Sequence, residues 1–305
     1  MIGAAPAWHE ESSSVAIADG TLYGTLTIPA GSGPFPIALI IAGSGPTDRN
    51  GNSPLSTIRT DAYKLLAHDL AARGIASLRY DKRLVGQSAI PGANENTLRF
   101  DDFVGDAERW VGSLSTDKRF SGVSIIGHSE GSLIGMIAAQ RTPAVVSYVS
   151  LEGAGRPAPD VLLQQFHDAN ASAADIATTQ HILADLRNGK TVANVDRSLY
   201  LLFRPSVQPY LISWFRYDPA VEISKLTIPA LIVQGTTDIQ IGVPDAQRLK
   251  DAAPSAKLAL ISGMNHILRD APADRSANIA TYSQPSLPLD STLVSTISDF
   301  ILHPH

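Results

Sequence analysis

Residues 122–140 read GVSIIGHSEGSLIGMIAAQ and place a serine between two glycines. The segment Gly127–Gly131 matches the pattern G-x-S-x-G, which is weak evidence alone because short motifs arise by chance. The apolar residues before the motif predict a strand, and the residues after it predict a helix. A nucleophilic serine on a sharp strand-to-helix turn requires this placement. The sequence therefore predicts that Ser129 is a nucleophile, and the alternative is that Ser129 only caps the helix.

The composition predicts a globular protein. Of its 305 residues, 44% are hydrophobic and 17% are charged, as in domains with a sizeable core. The 24 basic and 29 acidic residues give a net charge of −5 without a basic run, so we expect no nucleic-acid partner. No apolar run approaches the length of about 18 residues that a membrane span needs. The absence of cysteine excludes disulfides and zinc–thiolate sites.

Predicted strands and helices alternate along most of the chain. This alternation predicts an α/β fold with a mostly parallel, doubly wound sheet. At the N-terminus, residues 13–29 predict a hairpin that turns at Asp19 and Gly20. The other predicted strands, besides the one before Ser129, are PIALIIAG (36–43), IASLRY (75–80), AVVSYVSLEG (144–153), PALIVQG (229–235) and AKLALI (256–261).

One region lacks any strand pattern. Residues 153–225 predict helices only, so we expect a helical cap inserted into a core formed by residues 12–152 and 226–303. Aromatic residues are concentrated near the end of this region, where they either fill the core of the cap or line a substrate pocket. The candidate pocket residues are Tyr200, Phe203, Tyr210, Trp214 and Phe215.

A nucleophilic serine needs a histidine base and an acid that orients it. His266 follows the last predicted strand in a loop, and Asp238 follows the strand at 229–235, which is the chain order expected for these two roles. Two rival acids remain. Glu152 comes just past VVSYVSL (145–151), near the end of the predicted strand, whereas Asp245 opens or lies early in a predicted helix, which explains it without catalysis.

The predicted reaction also needs two backbone N–H groups that bind an oxyanion. One is expected from Glu130, directly after the nucleophile. The other is expected from Ser44, in the glycine-rich loop that follows the strand at 36–43.

The chain contains six motifs in this order: GSGPTDRNGN (43–52), RYDKRLVGQS (79–88), IIGHSEGS (125–132), LFRPSVQPYLISWFRYDP (202–219), LIVQGTTDIQI (231–241) and GMNHILRD (263–270). Together they resemble α/β-hydrolase esterases, close to the bacterial EstD-type carboxylesterases and related to the prolyl-oligopeptidase and dienelactone-hydrolase branches. The resemblance covers about residues 12–302. It implies an α/β-hydrolase fold, a triad of Ser129, Asp238 and His266, and an oxyanion hole at Ser44 and Glu130.

The RYDKR motif also matches the family, which often has Gly-Ile or Gly-Val where Leu84 and Val85 stand. We interpret its charged residues as a structural brace that pairs with Asp48 or Arg49. The brace residues are Arg79, Asp81 and Arg83.

The resemblance implies a serine carboxylesterase that acts on a small-molecule ester and needs no metal or organic cofactor. We expect short acyl chains. The same groups also cleave thioesters and amides, so an acyl-CoA thioesterase, a small-peptide or amide hydrolase and a perhydrolase remain alternatives. A non-catalytic ligand-binding protein of this fold is disfavoured because all three triad positions are filled.

The N-terminal segment MIGAAPAWHEESSS lacks the basic start and apolar core of a signal peptide, so we expect a cytoplasmic protein. The alternative is an exported protein from which a signal peptide has been removed, because GAAPA has the small-residue composition of cleavage sites. The sequence predicts no oligomeric state.

Overall fold

The structure is a computed structural model that describes residues 7–54 and 57–304. The residues 1–6 of the N-terminal segment, on which the cytoplasmic prediction partly rests, lie outside the described residues, as does His305. In these ranges one sheet contains eight strands in the order β1-β2-β4-β3-β5-β6-β7-β8. The strands are β1 (Trp8–Ile17), β2 (Gly20–Pro29), β3 (Phe35–Ile41), β4 (Ala76–Tyr80), β5 (Phe120–His128), β6 (Val145–Leu151), β7 (Ala230–Gly235) and β8 (Lys257–Ile261).

Helices connect most of the strands. Two short 3₁₀ turns, at Glu95–Thr97 and Thr281–Ser283, lie in loops. The α-helices are α1 (Ala62–Ala71), α2 (Phe100–Thr116), α3 (Glu130–Arg141), α4 (Ala158–Asp168), α5 (Ala173–Arg187), α6 (Tyr200–Phe203), α7 (Gln208–Trp214), α8 (Pro219–Ile223), α9 (Val243–Ala252), α10 (Arg275–Ala280) and α11 (Ser291–Leu302).

The sheet is antiparallel only at its N-terminal edge. β1 pairs with β2 as the predicted hairpin, and β2 pairs antiparallel with β4. β3 pairs in parallel with β4 and β5, and β6, β7 and β8 continue the parallel part. The carboxyl ends of these parallel strands meet at one edge of the sheet, which is where α/β proteins build their sites.

Helices cover both faces of the sheet, as predicted. On one face, α1 and α11 bury apolar residues such as Leu66 and Ile297 against the strands. On the other face, α2, α3 and α9 bury residues such as Trp110, Ile134 and Leu249. A parallel strand covered on both faces must be apolar on both faces, which explains the continuous apolar sequence of β3.

Between β6 and β7 the chain forms the five helices α4 to α8 and no strand. These helices occupy the segment in which the sequence predicts a cap. At the other end of the chain, β1 begins at Trp8, four residues before the expected start of the core at residue 12. In residues 7–54 and 57–304, no helix is both long and apolar enough to cross a membrane.

Candidate active site

Ser129 lies at the junction of β5 and α3 with a backbone conformation that L-residues rarely adopt. Its φ is 55° and its ψ is −121°. A non-glycine residue at positive φ is strained, and such strain concentrates at functional sites. Its N–H donates to the Leu151 carbonyl at 2.9 Å, which ties the turn to the neighbouring strand β6. The turn thus places a half-buried serine side chain at the carboxyl edge of the sheet.

The two glycines of the motif are required by close backbone approach. A Cβ atom at Gly127 would lie 2.3 Å from the Gly131 carbonyl oxygen. A Cβ atom at Gly131 would lie 2.4 Å from the Ile41 carbonyl oxygen at the end of β3. Any larger residue would therefore push the serine turn away from the sheet edge.

His266 and Asp238 are joined by a short hydrogen bond. His266 Nδ1 lies 2.7 Å from Asp238 Oδ2, and the Asp238 carboxylate is fully buried. Asp238 Oδ1 accepts the backbone N–H groups of Gln240 at 2.7 Å and Ile241 at 3.1 Å. Burial opposes the charge on Asp238. The His266 charge and hydrogen bonds from His266, Glu152 and the Gln240 N–H nevertheless lower the pKa of the carboxyl below its usual value.

Ser129 and His266 line the same cavity of about 140 Å³, together with Gly43, Ser44 and Tyr282 among others. No hydrogen bond joins the Ser129 hydroxyl to His266 in the parts of the chain that the structure describes. The bond between a nucleophile and its base is often loose in a free enzyme. The structure therefore brings the predicted nucleophile and base to one cavity, with the predicted acid bonded to the base.

The two rival acids have other partners. Asp245 is buried and accepts the backbone N–H groups of Gly155 and Arg156 at 3.0 Å each, so its carboxylate fastens α9 to the loop after β6. Glu152 is fully buried, accepts the Gly235 N–H at 2.8 Å and lies next to Asp238. Burial and the neighbouring Asp238 charge raise the pKa of the Glu152 carboxyl well above its usual value.

The loop after β3 approaches Ser129 closely. A Cβ atom at Gly43 would lie 3.1 Å from the Ser129 Cβ atom. The Gly43 N–H already donates to the Tyr63 hydroxyl at 3.1 Å. Neither the Ser44 nor the Glu130 N–H has a hydrogen-bond partner within the described residues. These two N–H groups are the predicted oxyanion donors, and both residues border a second cavity that Ser129 lines.

Tyr63 and His128 are buried, and their hydrogen bonds connect the loop after β3 to the loop that carries His266. The Tyr63 hydroxyl lies 2.8 Å from His128 Nδ1, and His128 Nε2 lies 2.8 Å from the His266 carbonyl oxygen. Because the carbonyl can only accept, His128 Nε2 must donate, and Nδ1 then accepts from Tyr63. Burial and the nearby His266 lower the pKa of His128 to about 3, so the ring is neutral at ordinary pH.

Glu130 contributes a buried carboxylate besides its backbone N–H. Glu130 Oε2 lies 3.2 Å from the Lys82 ammonium, and Glu130 Oε1 accepts the Tyr210 hydroxyl at 2.6 Å. The side chains of Lys82 and Glu130 are each only 3% exposed. Both residues line a cavity of about 300 Å³ beside Gly45.

Comparison with known proteins identifies the architecture. The family model described as Hydrolase_4, serine aminopeptidase S33, matches residues 59–197. The chain is 29% identical over 253 residues to esterase EstD of Thermotoga maritima. The match covers 81% of this chain and 58% of EstD. Est1E of Butyrivibrio proteoclasticus, solved with ferulic acid, matches at a TM-score of 0.64 with 16% identity, over 96% of this chain and 98% of Est1E. An esterase of Pyrococcus furiosus matches at a TM-score of 0.62 with 15% identity, over 97% of this chain and 91% of the esterase.

The chain has the α/β-hydrolase fold. The resemblance to EstD-type esterases predicted from the motifs is confirmed by the match to EstD itself. The chain spans about three fifths of the length of that curated relative. The matched Hydrolase_4 segment includes Ser129 and ends before Asp238 and His266, so the roles of these two residues rest on geometry and motif.

In this α/β-hydrolase fold, the predicted aromatic pocket is only partly formed. Tyr210 lines the 300 Å³ cavity. Trp214 lines the smaller of the two cavities that Ser129 borders, which has a volume of about 70 Å³. The prediction needs correction for the other three residues, which line neither cavity. Tyr200 is 51% exposed, Phe203 is fully buried and stacks on Phe166, and Phe215 packs against Trp214.

The brace predicted around RYDKR forms with partly different partners. Arg49 and Asp81 pair at 2.6 Å, as the sequence predicts. Asp48 instead accepts backbone N–H groups of its own loop. Arg79 pairs with Glu10 and Arg83 with Asp106.

One cluster of possible metal ligands lies at the site. The ligand atoms of Glu152, Asp238 and His266 lie within 4.8 Å of one another. Asp238 and His266 already bond to each other, and Glu152 accepts a backbone N–H, so hydrogen bonds satisfy this cluster. Sequence reasoning missed Tyr63, Lys82 and the role of the His128 ring, although Lys82 and His128 both stand inside motifs that it singled out.

Proposed function

We propose that this protein is a serine carboxylesterase that hydrolyses short-chain carboxylic esters through an acyl-enzyme intermediate. One arrangement carries the proposal: Ser129, at a strained turn, lines the same cavity as His266, whose Nδ1 is bonded to the buried Asp238. The similarity to esterase EstD supports an ester as the substrate.

The first step forms the acyl-enzyme. Because Asp238 holds the proton of His266 on Nδ1, the Nε2 atom has a free lone pair and takes the proton from the Ser129 hydroxyl. Ser129 Oγ bonds to the ester carbonyl carbon, and the carbonyl oxygen becomes an oxyanion. The N–H groups of Ser44 and Glu130 bind that oxyanion, while Asp238 stabilises the histidine cation.

The intermediate then collapses. The carbonyl double bond re-forms, the bond to the alcohol oxygen breaks, and His266 returns its proton to that oxygen. Water enters, and His266 takes a proton from it as the water oxygen attacks the acyl carbon. The second collapse breaks the bond to Ser129 Oγ, which is reprotonated, and the carboxylic acid leaves.

The smaller cavity supports a short acyl group. It has a volume of about 70 Å³ and is lined by Ser129 and apolar side chains that include Leu133, Leu162 and Trp214, whereas His266 lines the other cavity. Because His266 must protonate the leaving alcohol, we place the alcohol on the His266 side and the acyl group in the smaller cavity. Drug-sized ligands need roughly 300 Å³ or more, so this cavity suits a few carbon atoms.

The test is the hydrolysis of p-nitrophenyl esters from acetate to palmitate by the wild type and by Ser129→Ala. We expect the wild type to prefer short chains and the variant to be inactive while folded. A wild type that turns over none of these esters, or a folded Ser129→Ala variant with undiminished turnover, would refute the proposal.

A second candidate is hydrolysis of small amides, because the matching family model is described as a serine aminopeptidase. The same groups attack amides, whose leaving amine also takes its proton from the histidine. The same assays should therefore include amino-acid p-nitroanilides as amide substrates. Acetyl-CoA should be included to test the thioesterase alternative. A higher kcat/KM on the anilides than on p-nitrophenyl acetate would favour this candidate.

A further inference from the structure

Lys82 has a buried ammonium group for which the proposed reaction has no role. It follows β4 and is 3% exposed. Its Nζ atom donates to the Gly43 carbonyl at 2.5 Å and to Glu130 Oε2 at 3.2 Å, and lies 5.4 Å from the centre of the Phe103 ring. Lysine is almost never fully buried unless it is paired, and a buried ion pair is weak evidence for a stabilising role. Its position therefore needs another explanation.

The two contacts of Lys82 lead to the two halves of the predicted oxyanion hole. The carbonyl of Gly43 and the N–H of Ser44 belong to one planar peptide group. The carboxylate on the other side belongs to Glu130, whose own N–H is the second predicted donor. One ammonium group thus connects the loop after β3 to the start of α3.

We propose that Lys82 is a positioning residue that orients and polarises the oxyanion hole through the Gly43–Ser44 peptide; this inference rests on the proposed function. A cation bonded to the carbonyl oxygen fixes the plane of the peptide and strengthens its N–H as a donor, because hydrogen bonds in a chain polarise one another. Donors fixed in advance act most strongly where charge develops in the transition state. Lys82 does not contact the reacting atoms in this account.

The network extends into the segment predicted as a cap. Glu130 Oε1 accepts the Tyr210 hydroxyl of α7 at 2.6 Å, while Oε2 faces Lys82. Both carboxylate oxygens are therefore used, and Glu130 cannot turn away from Lys82 without losing a buried hydrogen bond. This arrangement fixes the ammonium group from the side opposite to Gly43.

The competing role is recognition of a negatively charged substrate, because Lys82 also lines the 300 Å³ cavity. The other cations of that cavity are already paired, Arg83 with Asp106 and Arg204 with Glu95. The ammonium of Lys82 is likewise paired with Glu130. The cavity therefore offers no unpaired cation to an anionic ligand among its lining residues.

The experiment compares Lys82→Met with Lys225→Met, Ser129→Ala and the wild type on p-nitrophenyl acetate. Lys225 is a matched control, because it also pairs with a largely buried glutamate, Glu222, at 2.8 Å. We expect Lys82→Met to lose about 100-fold in kcat with KM little changed, as when one oxyanion donor is lost. Binding of a trifluoromethyl ketone, which forms an oxyanion on the serine, should weaken by a similar factor.

Lys82→Met leaves Glu130 as an unpaired buried carboxylate, so the double variant Lys82→Met with Glu130→Gln provides a second test that removes both charges. We expect it to fold and to show the same loss in kcat and in ketone binding. Thermal unfolding of every variant separates a folding defect from a catalytic one.

The outcomes separate the two proposals. Suppose that the wild type hydrolyses the ester and that Ser129→Ala is inactive. A folded double variant with wild-type kcat and ketone affinity would then overturn only the role of Lys82. A loss confined to KM on p-nitrophenyl hemisuccinate, with acetate unaffected, would also overturn it in favour of anion recognition. A wild type without esterase activity would refute the proposed function, and the inference with it.

Discussion

At the scale of single residues, the pKa values of two buried carboxyl groups beside His266 are shifted in opposite directions. The charge of His266, together with hydrogen bonds from His266, Glu152 and the Gln240 N–H, holds the pKa of Asp238 below its usual value against the effect of burial. Burial and the Asp238 charge raise the pKa of Glu152. Asp238 therefore ionises more readily than Glu152, as the acid partner of His266 must.

This difference predicts unequal effects of amide substitution. We expect Asp238→Asn to lower kcat by about 10⁴-fold, because the amide stabilises the wrong histidine tautomer. Glu152→Gln should keep most of the wild-type kcat, since the raised pKa of Glu152 favours its neutral form, which glutamine resembles in charge. Steady-state kinetics on p-nitrophenyl acetate measure both. Equal losses in the two variants would contradict the assignment of the acid.

The neutral His128 ring couples stability to pH. Its pKa is lowered from the usual value to about 3, so between about pH 6.5 and 3 the unfolded chain binds a proton that the native protein does not. Stability from this residue is therefore lost as the pH falls. Asp106, whose pKa burial raises to about 6, and Glu152 act in the opposite direction. The slope of the unfolding free energy against pH contains the contributions of all these groups. The contribution of His128 is therefore measured by comparison with a variant that lacks it.

We expect His128→Gln to lose this dependence. Between about pH 6 and about pH 4, the unfolding free energy of the wild type should fall more steeply than that of the variant, by up to about 1.4 kcal/mol per pH unit for one proton. Urea unfolding at several pH values measures the two slopes. Parallel slopes would show that His128 is protonated in the native protein.

At the scale of elements, the turn between β5 and α3 depends on contact between backbones. We expect Gly127→Ala to abolish activity and to destabilise the protein, because the new Cβ atom would meet the Gly131 carbonyl oxygen at 2.3 Å. Gly112→Ala in α2 is the control: apart from the adjacent residues and the nearby backbone of α2, no atom lies within 4 Å of its Cβ position, and alanine should add up to about 1 kcal/mol of stability. Thermal unfolding and esterase assays test both. A Gly127→Ala variant with native activity would contradict the close approach.

The elements and the site differ in how far they can be predicted from sequence. The alternation of strands and helices is a local pattern, and so is the glycine–serine turn. The pairing of Asp238 with His266 follows from chain order within one fold. The two partners of Lys82 are separated from it by 39 and 48 positions in the sequence, and Tyr63 and His128 are 65 positions apart. No local pattern encodes such contacts, because they depend on how strands and loops pack.

The aromatic residues of 200–217 illustrate the same limit. Phe203 and Trp214 stand in neighbouring short helices of similar composition. Phe203 nevertheless faces Phe166 of α4, whereas Trp214 reaches the cavity of Ser129. The direction of a side chain on a short helix is fixed by tertiary packing, which periodicity over four to seven residues cannot specify.

At the scale of the whole molecule, the helices between β6 and β7 supply one wall of the cavity in which we place the acyl group. Val161 and Leu162 of α4 and Trp214 of α7 face Leu133 of α3 across about 70 Å³. We therefore expect the proposed preference for short chains to depend on these helices more than on the proposed triad.

Leu162→Ala should lengthen the preferred acyl chain, because it removes apolar atoms from the wall of a cavity that is too small for long chains. We expect the ratio of kcat/KM on p-nitrophenyl octanoate to that on acetate to rise about tenfold, the effect of one or two methylene groups in an apolar pocket. Leu201→Ala is the matched control, since Leu201 lies in the same helical segment but is 74% exposed. An unchanged ratio for Leu162→Ala, or an equal shift in Leu201→Ala, would place the acyl chain outside this cavity.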